Sequence, residues 1–323
     1  MLKKNFEKLL EKYPFLNDWR TKLSIFTLPG FDKVPVFDVL LFLISEIKKD
    51  QIPTRARSIS YSFFIAFFPA IIFLFTLLPY IPLAGVQQSL IEIISEIVPE
   101  NVVQNFILVT IDNVLNKPRG ALLSFVTLLT LYFSTQGMVS IIMSFNKTHA
   151  IYNKRNFFSL RWLALKLTVL LFVMFISSIT LLIVGSQLIN VLILMLNIKS
   201  SLTVFALNAL RYIIILLLYF FSISTIYYYG PATKKKFRFI SVGSTIATVA
   251  SIAASLIFSY YVAGIDRYNT VYGFFGSIIM FLGWMYVNAF VLLVGFELNA
   301  SIYYNRNLKY KLEEKNDEED SVD

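Results

Sequence analysis

Long uncharged apolar runs alternate along this chain with short segments in which the charges are gathered. A bilayer's hydrocarbon layer, about 30 Å thick, needs about 20 apolar residues in helical form to cross it. Six runs approach or exceed that length: 59–81, 121–145, 167–189, 212–229, 240–263 and 274–302. They predict an all-α fold, a polytopic membrane helical bundle with six transmembrane helices.

Two further segments carry helical patterning too short or too polar to span. Phe37 to Ile47 is apolar on most sides and is followed by lysines, which suits an amphipathic helix lying at the membrane surface within an N-terminal segment, 1–58. Between the first two runs, 83–117 repeats apolar residues at helical spacing (Leu90, Ile94, Ile97, then Ile107, Ile111, Val114) around Pro99, and so predicts an outer helical hairpin. Residues 303–323 shift to a charged and finally acidic tail, which composition assigns to disorder. The longest apolar run of the first 50 residues, Val39 to Ile44, is too short for a signal-peptide core, so the first span is expected to direct insertion.

Charge placement predicts orientation, because cytoplasmic loops keep Lys and Arg. With the N-terminus inside, the inner segments hold eleven of them before Ile59, five from Lys147 to Lys166, four from Lys234 to Arg238 and four after Ile302, that is 24 of the 29. Lys117, Arg119, Lys199, Arg211 and Arg267 are left outside. The acidic residues Glu92, Glu96, Glu100 and Asp112 of the hairpin suit the outer side. Topology therefore accounts for the net charge of +9, and no nucleic acid is required. The 57% hydrophobic content and a mean hydropathy of +0.67 exceed what a soluble core of this size would use.

Few polar residues fall inside the runs. Gly243, Ala247, Ser251, Ser255 and Ser259 recur every four residues and form one stripe of small side chains. Such a stripe lets another helix approach closely, and its alternative use is to line a pore or substrate path. Glu297 is the single acidic residue in the six runs. At about 100° per residue, Gly276, Gly283, Phe290 and Glu297 share a face, so the carboxylate lies on a glycine-containing stripe. Two readings stay open: a structural ion pair or cap, with Arg155 or Arg161 as candidate partner, and a substrate or proton-coupling role. Asn288 sits nine residues earlier, on the opposite face. Pro69 removes a backbone hydrogen bond and is expected to kink the first span. Gln136 and Gln187 suit bonds between helices or to headgroups.

Chemical motifs are sparse. The chain has no cysteine and one histidine, His149, and lacks a phosphate-binding glycine loop, a nucleophile elbow and metal-spaced histidines. No cofactor or metal is expected, and the chain is not expected to be an enzyme.

Four segments, in order, carry a resemblance. SISYSFFIAFFPAIIFL holds Tyr61 and Pro69; FNKTHAIYNKR holds Asn146, Tyr152 and Arg155; YYYGPATKKKFRFISVGSTIAT holds Gly230, Pro231 and Gly243. YNTVYGFFGSIIMFLGWMYVNAFVLLVGFELNA holds Tyr272, Gly273, Gly276, Trp284, Gly295, Glu297 and Asn299. Over about Arg55 to Ala300 the chain resembles the YihY/virulence factor BrkB family of bacterial membrane proteins, once labelled ribonuclease BN. It departs in reading Tyr-Gly-Phe-Phe-Gly where the family often has Phe-Gly after its tyrosine.

The resemblance implies six spans, a bacterial cytoplasmic (inner) membrane and a role in moving a lipid or another amphipathic envelope component. The expected site lies between the sixth span (Glu297, Asn288, Trp284) and the first and fifth, with Asn299, Tyr272, Gly276 and Pro69 as further candidates and Gly283 among the packing positions. The alternative is a non-catalytic scaffold that holds envelope proteins through its hairpin and tails. A ribonuclease fits poorly, because RNA hydrolysis needs acid–base groups or metal ligands in a water-exposed basic groove. Expected partners are membrane lipid, a lipid or amphipathic substrate and envelope proteins, with no nucleic acid.

Overall fold

A computed structural model describes residues 52–77, 120–146, 155–195, 200–233, 236–263 and 266–320. Six helices account for nearly all of them: α1 (Ile52–Leu77), α2 (Gly120–Phe145), α3 (Phe157–Met195), α4 (Ser201–Tyr229), α5 (Val242–Ala263) and α6 (Asp266–Asp320). Each contains a stretch long and apolar enough to cross a bilayer. The protein is an all-α, multi-pass membrane protein. In lipid every backbone N–H and C=O must be satisfied within the segment, and a helix does this alone. Large apolar side chains such as Leu128, Phe175, Leu256 and Ile257 face outward, where acyl chains solvate them.

At their starts α1, α3 and α4 outrun the uncharged runs, because a charge interrupts an apolar run without interrupting a helix. Arg55 and Arg57 lie within α1, which begins at Ile52 and not at 59. Arg161 and Lys166 lie within α3, which begins at Phe157 and not at 167. Their charges rest over neighbouring rings, 4.7 Å from Phe157 and 5.2 Å from Trp162, while the stems lie along the helix. Arg211 lies within α4, which begins at Ser201 and not at 212. The tail assigned to disorder is also helical as far as Asp320. Its Lys, Leu and Glu residues are strong helix formers, which favours a helix despite the charge. The interfacial helix and the outer hairpin lie outside the described residues.

Helix ends are set by local chemistry. Gly230 closes α4, its N–H bonding the Ile226 carbonyl at 2.9 Å, and a Cβ there would lie 2.5 Å from that oxygen. Pro231 follows, and α4 stops. Ser241 caps α5 reciprocally: its Oγ accepts from Ser244 N–H at 3.2 Å, while its own N–H donates to Ser244 Oγ at 3.1 Å. Across Pro69, α1 stays one helix, although the ring nitrogen leaves the Ile65 carbonyl without its usual donor.

The chain divides into two compact units. The first holds residues 1–60, 143–154 and 223–323. At its centre Phe145 stacks on Phe296 at 3.9 Å, with Tyr227 edge-on to both. The Tyr227 hydroxyl donates to the Leu292 carbonyl, as a buried phenol requires. Gly295 makes room, since a Cβ there would sit 2.6 Å from the Tyr227 oxygen and 2.7 Å from Ala247 Cβ. A Cβ at Gly243 would overlap the Gly295 carbonyl. Thus α5 and α6 meet backbone to backbone.

The second unit holds residues 61–142 and 155–222. Here Ser62 and Ser140 share a hydrogen bond of 2.7 Å, Phe63 lies over Gly137, and Phe73 meets Phe172 edge-on. Ser222 bonds the Met174 sulfur and the Leu218 carbonyl.

Gly295→Ala should force the backbones of α5 and α6 apart, with a loss of about 1–3 kcal/mol. A lowered melting temperature of the detergent-purified variant checks this, with Ser259→Ala, at an exposed position of the small-residue stripe of α5, unchanged.

Candidate functional site

Position 297 is where the first unit buries an ionisable group. Glu297 is 1% exposed, and Arg55 Nη1 lies 3.5 Å from its Oε1. The same Nη1 donates to the Ser144 carbonyl at 2.9 Å, so the guanidinium joins α1, the end of α2 and α6. Arg55 keeps 19% of its side-chain surface and can hydrate in part, whereas Glu297 cannot. A buried carboxylate of this kind needs a cation, because desolvation of either ion costs several kcal/mol.

The sequence offered Arg155 or Arg161 as that cation. The recorded ion pair is made by Arg55, four residues before the first uncharged run and within the segment assigned to the N-terminal region. Burial lowers the Arg155 pKa from its ordinary value. The signal for Arg55 is its place in the first turn of a span, which can be read only once α1 is known to begin at Ile52.

The other candidates take up structural positions. Asn299 caps the start of α5: its Oδ1 accepts from Gly243 N–H and its Nδ2 donates to Ser241 Oγ, both at 2.8 Å. Glu297 and Asn299 are two residues apart, hence about 200° apart around α6, so the carboxylate and the amide serve different neighbours. Trp284 Nε1 donates to Ser255 Oγ at 3.1 Å. Asn288 Nδ2 donates back to the Trp284 carbonyl at 3.0 Å, within α6. Trp284 and Asn288 stand thirteen and nine residues from Glu297, about 19 and 13 Å along the axis, so the structure does not gather them with Glu297 into one site. Gly276 is buried. The side chain of Tyr272 lies outside those described, and Pro69 belongs to the second unit.

Along the small-residue stripe, Gly243 and Ala247 meet Gly295, Ser251 is buried and Ser255 holds Trp284, while Ser259 is exposed. A Cβ at Gly283 would lie 3.8 Å from the Phe258 ring, an ordinary van der Waals contact. Asn146, from the second motif, accepts from Ala232 N–H at 3.0 Å and so anchors the loop after α4.

That loop borders a small cavity of about 90 Å³ against α6. Lys236, Arg238 and Arg306 line it, with Ser241, Asn299 and Tyr303. Lys236 lies 4.6 Å from the rings of both Tyr228 and Tyr229. Three cations beside hydroxyl and amide groups suit an anion such as a phosphate headgroup. Among the described residues, no group of three or more His, Cys, Asp or Glu side chains could hold a metal.

A family model described as Virulence factor BrkB matches residues 43–320. The ribonuclease-like protein YfkH of Bacillus subtilis (strain 168) is 26% identical over 255 residues, which cover 79% of this chain and 91% of that protein. A UPF0761 membrane protein of Paraburkholderia xenovorans (strain LB400) is 37% identical over 70 residues, 22% of this chain and 16% of the relative. Another, of Azotobacter vinelandii (strain DJ / ATCC BAA-1303), is 34% identical over 76 residues, 24% of this chain and 19% of the relative. No solved structure matches the chain significantly.

Removing the cation should cost more than neutralising the anion. Arg55→Met, which leaves Glu297 buried beside an apolar side chain, is expected to lose about 3–5 kcal/mol. Glu297→Gln leaves an arginine that still bonds the Ser144 carbonyl and can hydrate, and should lose about half as much. Thermal unfolding of both variants in one detergent gives the order; the reverse order would contradict this account of the pair.

Proposed function

The chain belongs to the virulence factor BrkB family, and from that premise we propose that it is a transporter or flippase-like protein for a lipid or another amphipathic envelope component. In this reading it sits in the bacterial cytoplasmic membrane with both termini inside, where 24 of its 29 Lys and Arg residues then lie.

The carrying observation is the Arg55–Glu297 pair, with Glu297 buried toward the end of the stretch of α6 that is otherwise uncharged, Tyr268 to Asn305. As a device for stability alone such a pair is weak, since well-packed apolar residues do as well or better. An ion pair that can exchange one partner for a charged headgroup or a proton has a use that apolar packing lacks. The cationic cavity of Lys236, Arg238 and Arg306 supports an anionic headgroup as the group exchanged. It opens on another face of the same helix, so α6 is the element common to both.

The reading assigns the chain no catalysis. The name of the Bacillus relative speaks of ribonuclease likeness, yet the six uncharged runs hold one acidic residue, Glu297, and the whole chain one histidine, a sparse set for acid–base or metal-assisted RNA cleavage. Purified protein cleared of contaminating nucleases should release no acid-soluble fragments from labelled RNA with Mg²⁺, Mn²⁺ or Zn²⁺.

Reconstitution tests the main claim. Wild-type protein in vesicles should speed the transbilayer movement of a headgroup-labelled phosphatidylglycerol at least about tenfold, and Glu297→Gln should bring the rate back to that of empty vesicles. A wild-type rate no faster than empty vesicles for anionic phospholipid and glycolipid probes rejects the lipid-moving function. Full activity in Glu297→Gln removes that residue from it.

Orientation has its own check, made clean by the absence of cysteine. In intact cells a membrane-impermeant maleimide should label Lys117→Cys and leave Asn316→Cys unlabelled until the cells are opened.

A further inference from the structure

The second unit buries a cation of its own. Arg211 is 9% exposed, and its Nη2 donates to the Tyr212 hydroxyl at 2.9 Å with the guanidinium 4.7 Å from the centre of that ring. Nε and Nη1 are buried and meet no acceptor among the described residues. A guanidinium carries five N–H groups, one on Nε and two on each terminal nitrogen. At least three of the five on Arg211 therefore have no acceptor among the described residues. A buried charged donor without an acceptor is among the costliest defects a fold can carry, and a lysine-like retreat to water is closed to a side chain this enclosed.

The surroundings are shaped for this side chain. A Cβ at Gly185 would lie 2.8 Å from Arg211 Cδ, so α3 is notched where the arginine stem crosses it. Any larger residue would push the guanidinium off its place. Two helices also agree on its depth. Gly185 comes nineteen residues after Lys166, with no charge between them, a rise of about 28 Å. Arg211 precedes the eighteen uncharged residues 212–229, a rise of about 27 Å. Both values match a hydrocarbon layer of about 30 Å. Notch and guanidinium thus reach the level where the apolar layer ends and headgroup phosphates begin, on the face opposite Lys166. Leu210, Ile213 and Ile214 are exposed beside the arginine and offer an apolar wall to acyl chains.

We infer that Arg211, seated in the Gly185 notch and braced by Tyr212, is an oxyanion-binding site that takes the phosphate group of an anionic amphipath. Unmet N–H groups on a fixed guanidinium bond phosphate oxygens with charge assistance, more strongly than neutral donors do. The apolar wall favours phosphate carried on a lipid over free phosphate. The site owes nothing to Glu297, and its test reads binding and not transport, so it stands or falls apart from the function proposed above.

The full-length protein in a neutral maltoside detergent is titrated with phosphatidylglycerol, with phosphatidylcholine and with inorganic phosphate, following melting temperature and lipid retained in native mass spectra. Phosphatidylglycerol should stabilise the wild type saturably and phosphatidylcholine should not. In Arg211→Gln the half-saturating concentration should rise at least about tenfold. Arg161→Gln, which removes the same charge from the far end of α3, should bind as wild type. Gly185→Ala keeps the charge but displaces the guanidinium, and should weaken binding by a similar factor; it also carries the test if Arg211→Gln does not fold. Inorganic phosphate that stabilises the wild type alone identifies a free oxyanion as ligand, and lipid binding indifferent to it identifies the headgroup. Equal phosphatidylglycerol binding by wild type, Arg211→Gln and Gly185→Ala overturns the site, as does a wild type stabilised by neither phosphate source.

Discussion

Where Gly243 meets Gly295, the backbones of α5 and α6 touch, and much of the first unit hangs on that contact. Between helices in lipid no water is expelled on association, so attraction comes from close van der Waals contact and hydrogen bonds, both of which need short distances. The missing side chain at Gly295 admits Ala247 and lets the Tyr227 hydroxyl reach the Leu292 carbonyl. The missing side chain at Gly243 lets Asn299 bond its N–H and cap α5. Once α4, α5 and α6 are drawn together in this way, Phe296 is held for Phe145 to stack upon.

Charge placement follows from the same low-dielectric surroundings. Glu297 is retained with a cation within 3.5 Å, and that cation is tied to a backbone carbonyl that fixes its position. Among the described residues, Arg211 keeps an aromatic brace and a hydroxyl partner, both from Tyr212. Ionisable groups held inside apolar helices are costly, and such groups commonly meet ions, headgroups or protons. Lys236, Arg238 and Arg306 extend that theme to the cavity beside Asn299.

The relatives carry names that point in different directions, one ribonuclease-like and others membrane proteins. The chemistry of the chain sides with the membrane. Polar side chains such as Asn299 and Trp284 are tied into contacts between helices, and most of the charge gathers in segments between spans.

By itself the sequence determined the number of spans, their helical form and the family, because a hydrophobic run of span length has one low-energy structure in a bilayer and needs no neighbour to define it. It also marked Glu297 as the acid within the spans and the stripe of Gly243, Ala247, Ser251, Ser255 and Ser259 as a surface of small residues. The ends of the helices were less legible, since Arg55, Arg161, Lys166 and Arg211 break an apolar run while the backbone continues through them. Which residue pairs with Glu297 was decided by tertiary structure alone: Arg55 lies 242 positions away, and periodicity within one helix carries no information about distances between helices. The same holds for Asn299, which reads in sequence as a polar group awaiting a substrate and in the fold caps α5. Arg211 read as an outer-loop charge until α3 closed over it, because burial is a property of what packs against a residue and not of the residue itself.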